Sequence, residues 1–332
     1  MRVEEIIEVA ATRKCPVRQS TVKDAYKCQR YFMLKHKWGL YRKSRTTGIA
    51  AKLGQIVHKL MEHGPEGLPV VRSWLRDMQS EILSQIDRGE DLDGSLSRKV
   101  QDLTDAYRKA EAVVSLYWEK YSTPIGQETV ADEKLIEVDY NGIPLQGRID
   151  NIVRSTSSRA LWLRDYKTST KALALIGVGY QYSIQCRLYR LLGYLYFKED
   201  LKGFILDKMR MPSIKMCKKD ANFEAYVGRC RDWYKEQNED WASSEAIFYN
   251  EPIENSELVN AIQKTSELSK KEPVIENFDR DVTCAGCTFF NSVCPYYELC
   301  STAPKLWNPI IDDDYEVKEP EPEEPGIESI EE

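Results

Sequence analysis

The stretch EKLIEVDYNGIPLQGRIDNIVR, residues 133–154, constrains the fold more than any other part of the chain. Two runs of alternating apolar and polar residues flank Asn141-Gly142, a dipeptide that tolerates the positive φ angles of a two-residue hairpin turn. A third run, ALWLRDYK at 160–167, follows closely. Successive side chains point to opposite faces of a strand. Leu161, Leu163, Asp165 and Lys167 therefore share one face, and Trp162, Arg164 and Tyr166 share the other. An acid and a lysine at the end of an apolar stripe are costly to bury. They are either a surface ion pair, worth under about 1 kcal/mol, or a pair kept for chemistry. Asp150, in the segment GRID, ends the preceding apolar run in the same way. Neighbouring strands can bring Asp150 and Asp165 together, and two such carboxylates repel unless a proton or a cation lies between them. Oxygen ligands of this kind suit Mg²⁺ or Mn²⁺.

Helical patterns surround these strands. Residues 20–36 open on Ser20 as an N-cap, and further helices are expected at 48–62, 68–87 and 96–121. After the third strand come a helix over 179–196, a strand around GFILDKMRM (203–211), and helices over 221–243 and 254–271. The order describes an α/β fold, a mixed sheet flanked by helices. The expected organisation is an N-terminal extension (1–19) and a single domain (20–310). That domain divides into a helical part (48–122), a core (133–211) and a C-terminal part with clustered cysteines (221–300). A disordered acidic tail (311–332) follows.

Charge is unevenly spread. The whole chain carries −6, but Ile311–Glu332 holds eleven acids and one lysine, which leaves the rest at +4. Such a tail lacks the apolar residues to fold and serves solubility, or tunes access to DNA. Between Arg13 and Arg45 there are eleven Lys or Arg and one acid, interleaved with Tyr26, Tyr31, Phe32, Trp38 and Tyr41. A second basic patch is KMRMPSIKMCKK, 208–219. These are solvated faces or nucleic-acid surfaces, with Arg30, Tyr31, Lys35, Lys208 and Arg210 as the candidate DNA-binding residues. No apolar run is long enough to span a bilayer. The segment MRVEEIIEVAATRK has neither the basic start nor the apolar core of a signal peptide. A cytoplasmic protein with no membrane partner is expected.

Nine cysteines are many for a reducing compartment, where clusters of thiols point to metal rather than disulfides. Four of them lie in CAGCTFFNSVCPYYELC, 284–300. Cys15, Cys186, Cys217 and Cys230 are scattered and read as small apolar packing.

Four short motifs occur in order: G-x-x-x-H (Gly54, His58), G-x-I-D (Gly147, Asp150), D-x-K (Asp165, Lys167) and Q-x-x-x-Y (Gln185, Tyr189). The set resembles the RecB-like branch of the PD-(D/E)XK nuclease superfamily, over roughly Ser20 to Cys300. The resemblance implies a restriction-endonuclease-like mixed sheet and metal-dependent cleavage of DNA, as an exonuclease on single strands or ends or as a structure-dependent nuclease. It implies that His58, Asp150, Asp165 and the main-chain carbonyl of Tyr166 hold Mg²⁺ or Mn²⁺, that Lys167 positions water, and that Gln185 and Tyr189 place DNA and orient the lysine. CQRYFMLKHKWGL, from Cys28, is similar to the opening of family members that carry an iron–sulfur cluster. There Cys28 would join three late cysteines around [4Fe–4S]. The set is Cys287, Cys294 and Cys300, with Cys284 as an alternate, and Zn²⁺ is a second possibility for the same thiolates. No G-x4-G-K-[ST] loop is present, so unwinding would need a helicase, alongside a recombinase or single-strand-binding protein as possible partners. The alternative is a catalytically silent DNA- or partner-binding module with the same fold. RNA is not excluded as substrate.

Overall fold

The strands form where the alternation places them. The computed structural model describes residues 2–43, 49–89, 91, 94–121, 126–236, 241–281, 283, 285–289 and 292–318. Helices α1 (Val3–Thr12), α2 (Gln19–Lys27) and α3 (Gln29–Phe32), with a π-helical turn (Met33–Lys37), lead to strand β1 (Leu40–Arg42). Then come α4 (Ile49–His63), α5 (Leu68–Asp87) and α6 (Ser95–Lys120). Strands β2 (Gln127–Tyr140), β3 (Ile143–Ser155) and β4 (Leu161–Ser169) form the meander, and α7 (Ile184–Phe197) crosses over to β5 (Leu201–Arg210). The chain continues through α8 (Phe223–Glu236), β6 (Ala242–Phe248), α9 (Ser256–Lys270), a short hairpin β7 (Thr288–Phe289) and β8 (Ser292–Val293), α10 (Tyr297–Ser301), α11 (Trp307–Asp314) and β9 (Tyr315–Val317).

The main sheet has the order β2-β3-β4-β5-β6. All its pairings are antiparallel except β4–β5, which is parallel, as a helical crossover requires. At the β2–β3 turn Asn141 and Gly142 have φ of 52° and 79°, the left-handed values the dipeptide foretold. Leu161 and Leu163 of β4 pack with Ile149, Phe204 and residues of α7 and α9 on one side of the sheet. Tyr166 packs with α4, α5, α6 and α8 on the other. A mixed α/β sheet covered by helices is the architecture expected.

A third core gathers both ends of the described chain. Ile6 of α1, Phe32, Trp38, Phe278, Leu299, Trp307, Ile311 and Tyr315 are buried together. Trp38 meets Trp307 edge-on with ring centroids 5.8 Å apart, and the Val3 N–H donates to Asn308 Oδ1 at 2.8 Å. Strand β1 pairs antiparallel with β9. The segment before residue 19 is thus folded against the domain. The acidic segment is ordered as far as Val317, because Ile311 and Tyr315 supply burial that a charge count overlooks. Residues 319–332 of the acidic tail lie outside the described residues.

Two expected helices differ. The run over 20–36 breaks at Cys28, whose φ of −169° and ψ of 124° are extended, while its N–H still closes α2 on the Asp24 carbonyl at 3.0 Å. The helix expected to reach 243 ends at Glu236, and Ala242–Phe248 becomes the strand β6. It pairs with the outer edge of β5, a long-range partner that local periodicity does not contain.

Candidate active site

The motifs scattered over the chain converge at β3 and β4. The last registered pair of these strands is Asn151 opposite Arg164. One step further, the same antiparallel register sets Asp150 across from Asp165. Lys167 Nζ lies 2.6 Å from Asp165 Oδ2. Gln185, in the first turn of α7, donates from Nε2 to Asp165 Oδ1 at 3.2 Å and accepts from Lys167 Nζ at 3.5 Å. Ser183 positions that turn, its side chain accepting the Cys186 N–H as an N-cap. The Tyr180 ring centroid lies 5.0 Å from Lys167 Nζ.

From the opposite face of the sheet, α4 brings in His58. Its Nδ1 is 3.3 Å from Asp150 Oδ2, and its Nε2 is 2.9 Å from the main-chain oxygen of Tyr166. Gly54, one turn earlier, has no atom within 4 Å of where a Cβ would lie.

Glu133 completes the group, and the sequence motifs miss it. It lies on β2 across from Asp150, between the registered pairs Asp132–Asn151 and Lys134–Ile149. Its φ of 40° is unusual for a residue with a side chain. One ligand atom each from His58, Glu133 and Asp150 lie within 4.8 Å of one another. The available signal was a third acid on the strand facing Asp150, legible only once the hairpin register was known.

The charges of the site act on one another. Burial raises the Asp165 pKa, and the Asp150 charge adds to that against the pull of Lys167. Burial also opposes ionisation of Asp150, yet His58, with Nδ1 3.3 Å from Oδ2, and then Lys167 hold its pKa below the ordinary value. For His58, burial disfavours the charge, but Asp150 and then Asp165 outweigh it and lift the pKa to about 9. Glu133 is pushed up to about 7 by burial, Asp150 and Glu62. Asp150 Oδ2 and Asp165 Oδ2 are both buried and make no hydrogen bond, although each stands in an ion pair. Buried carboxylate oxygens left in this way are a fit for a cation.

Tyr189 is buried and packs against Gly147. A Cβ on Gly147 would come 2.6 Å from Leu192 Cδ1 and 3.1 Å from Tyr189 Cε1, so glycine lets α7 approach β3 closely. Of the candidate DNA-binding residues, Lys35 is paired with Asp24 at 2.8 Å, and Lys208 with Glu245 at 2.8 Å. Arg30 donates to the Phe278 carbonyl at 3.3 Å, and Arg210 stacks 4.9 Å from the Trp233 ring. These four cations are engaged with the protein. Tyr31 meets Tyr296 edge-on at 5.1 Å.

The cysteines sit between the break after α2 and the C-terminal segment. Cys28 Sγ lies 3.9 Å from the Asp279 carbonyl, and the Cys294 N–H donates to the Cys287 carbonyl at 2.7 Å. Burial lifts the Cys300 thiol to about 11, with Arg30 and Arg280 opposing and Cys28 and Cys294 adding to the rise. Cys284 lies outside the described residues.

A family model of the PD-(D/E)XK nuclease superfamily matches residues 17–300, the span that holds every one of these groups. The chain belongs to this superfamily. Among solved structures, a "Putative exonuclease" from Eubacterium rectale aligns at 14% identity and a TM-score of 0.43, covering 91% of this chain and 99% of that one. A search of the curated proteins finds no match. Within that span Asp150, Asp165 and Lys167 stand together. Among the described residues, no helix is long and apolar enough to cross a membrane.

Proposed function

We propose that this chain is a metal-dependent deoxyribonuclease, a cytoplasmic exonuclease acting on single-stranded DNA or DNA ends. The observation that carries the reading is the buried pair Asp150 and Asp165, each with an Oδ2 free of hydrogen bonds, ringed by His58, Glu133 and Lys167. Asp150, Asp165, His58, Glu133 and the Tyr166 carbonyl are the groups that would hold Mg²⁺ or Mn²⁺. Bound there, the ion would supply charge neutralisation at the phosphate and would acidify a water. Lys167 orients the attacking water and offers its own charge to the phosphate. Gln185 fixes Lys167 by bridging it to Asp165. His58 ties α4 to the strand between the two catalytic positions.

The thiols of Cys28, Cys287, Cys294 and Cys300 are the proposed ligands of a structural [4Fe–4S] cluster, or of Zn²⁺ on ligand type alone. Cys28 and Cys294 both add to the rise of the Cys300 thiol pKa, which supports a shared site. Protein purified without oxygen is expected to be brown and to contain iron. Colourless protein with stoichiometric zinc would select the second ion.

Digestion of DNA labelled at either end, as single strands and as duplex, with Mg²⁺, Mn²⁺ or EDTA, tests the nuclease reading. Metal-dependent release of nucleotides from one end is expected. DNA retained by the protein but left whole under every condition would favour the binding module instead.

A further inference from the structure

A wide groove of about 1070 Å³ runs between α2, α7 and α9. We infer that it is the track on which a single strand of DNA is held as its end enters the active site. The inference rests on the nuclease reading.

The groove and the catalytic centre share a wall. Tyr180 and Tyr182 bound one 3₁₀ turn. Tyr180 faces Lys167, as described, and Tyr182 lines the groove. Three residues later Gln185 contacts both Asp165 and Lys167. Tyr182 is thus three residues along the chain from Gln185, which touches two of the groups assigned to the catalytic centre.

The lining suits unpaired nucleotides. Tyr26 and Tyr182 are each 53% exposed, far more than large rings in a folded chain need to be. Lys264 Nζ is 4.4 Å from the Tyr26 centroid, and the Arg187 guanidinium, itself held by Glu251 and Glu257, packs 6.0 Å from that of Tyr182. Lys23 and Lys27 add positive charge on α2. The acids of the lining are already engaged. Asp24 is bound at 2.8 Å by both Lys35 and His36, Glu257 is paired with Arg187 at 2.5 Å, and Asp281 accepts the Thr283 and Gly286 N–H groups. Cations interleaved with half-exposed rings match a backbone of phosphates with bases between them. Bases in a duplex are already stacked and cannot use the rings, so the occupant is a single strand.

The test is fluorescence anisotropy of a labelled oligothymidylate of about 16 nucleotides, a length within known single-strand site sizes. The full chain is used in EDTA, so that cleavage cannot intervene. Base stacking contributes about 1–3 kcal/mol per ring, so the Tyr26→Ala/Tyr182→Ala double variant should bind tenfold or more weakly, and Tyr26→Phe/Tyr182→Phe should bind as the parent does. Lys23→Glu/Lys264→Glu, on exposed positions, should flatten the salt dependence and serves if the alanine variant does not fold. Unchanged affinity in both the alanine and glutamate variants would overturn the inference. So would a duplex that binds as tightly as the single strand and loses as much on substitution. Cleavage by the parent protein with Mn²⁺ is scored separately. If cleavage fails while the binding loss stands, the nuclease reading falls and the groove assignment stands.

Discussion

His58 Nε2 lies 2.9 Å from the main-chain oxygen of Tyr166, the residue between Asp165 and Lys167. This contact joins α4, on one face of the sheet, to the backbone of the strand whose acid and lysine are served by α7 on the other. With Asp150 on its Nδ1 side, the imidazole spans two of the groups assigned to the cation.

Without the cation, that arrangement favours a charged imidazole. The His58 pKa of about 9 lies above its unfolded value near 6.5. Its contribution to stability is therefore complete below pH 6.5 and is lost as pH rises through 9. Chelated protein should lose on the order of 2–3 kcal/mol of unfolding free energy between pH 7 and 9, measured by urea denaturation. His58→Gln should remove most of that slope. A slope that survives the substitution would place its origin elsewhere.

Glu133 should matter to metal more than to folding. Its side chain joins His58 and Asp150 within 4.8 Å, so Glu133→Gln is expected to weaken Mn²⁺ binding about 10–100-fold. Calorimetric titration of the apoprotein reads this directly. The thermal midpoint without metal should not fall, because burial disfavours the carboxylate charge and Asp150 and Glu62 repel it.

Much of this centre was legible in the sequence, for reasons that differ by residue. Asp150, Asp165 and Lys167 end apolar runs within alternating strands, and alternation fixes which side chains share a face. Gln185 and His58 were named by motif spacing, and the fold brings both against the acids of β3 and β4. Glu133 was invisible because its role depends on the hairpin register and a local irregularity of β2. The strand β6 and the terminal core were missed for a related reason. Their stabilising partners, β5 for Ala242–Phe248 and α11 for α1, lie far away in sequence. The basic residues Lys35 and Lys208 looked free because the acids that pair with them, Asp24 and Glu245, are brought close only by folding.

Gly147 should tolerate no side chain. Gly147→Ala forces a methyl against Leu192 and Tyr189 and should destabilise by about 1–3 kcal/mol. If the contacts were independent, the losses from Gly147→Ala and Leu192→Ala would add; if the methyl fills the vacated space, the double variant loses less than that sum. The close geometry predicts coupling between the two positions, read from a double-mutant cycle of denaturant midpoints.

Beneath the site, Arg164 Nε pairs with the fully buried Asp207 at 2.7 Å across β4 and β5. Arg164→Met leaves that carboxylate without its cation and should cost about 3–5 kcal/mol, whereas Arg164→Met/Asp207→Leu should regain much of the loss. Equal stability of the single and double variants, by calorimetric melting, would show that the pair is not the source.

The most direct measurement is single-turnover cleavage of end-labelled single-stranded DNA with saturating Mn²⁺, comparing the parent chain with Asp165→Asn and Lys167→Met. Both variants keep the volume of the site. The account predicts a metal-dependent parent rate that falls by a factor of about 10²–10⁴ in Lys167→Met, and at least as far in Asp165→Asn, with DNA still bound. Parent-like cleavage by either variant would contradict it.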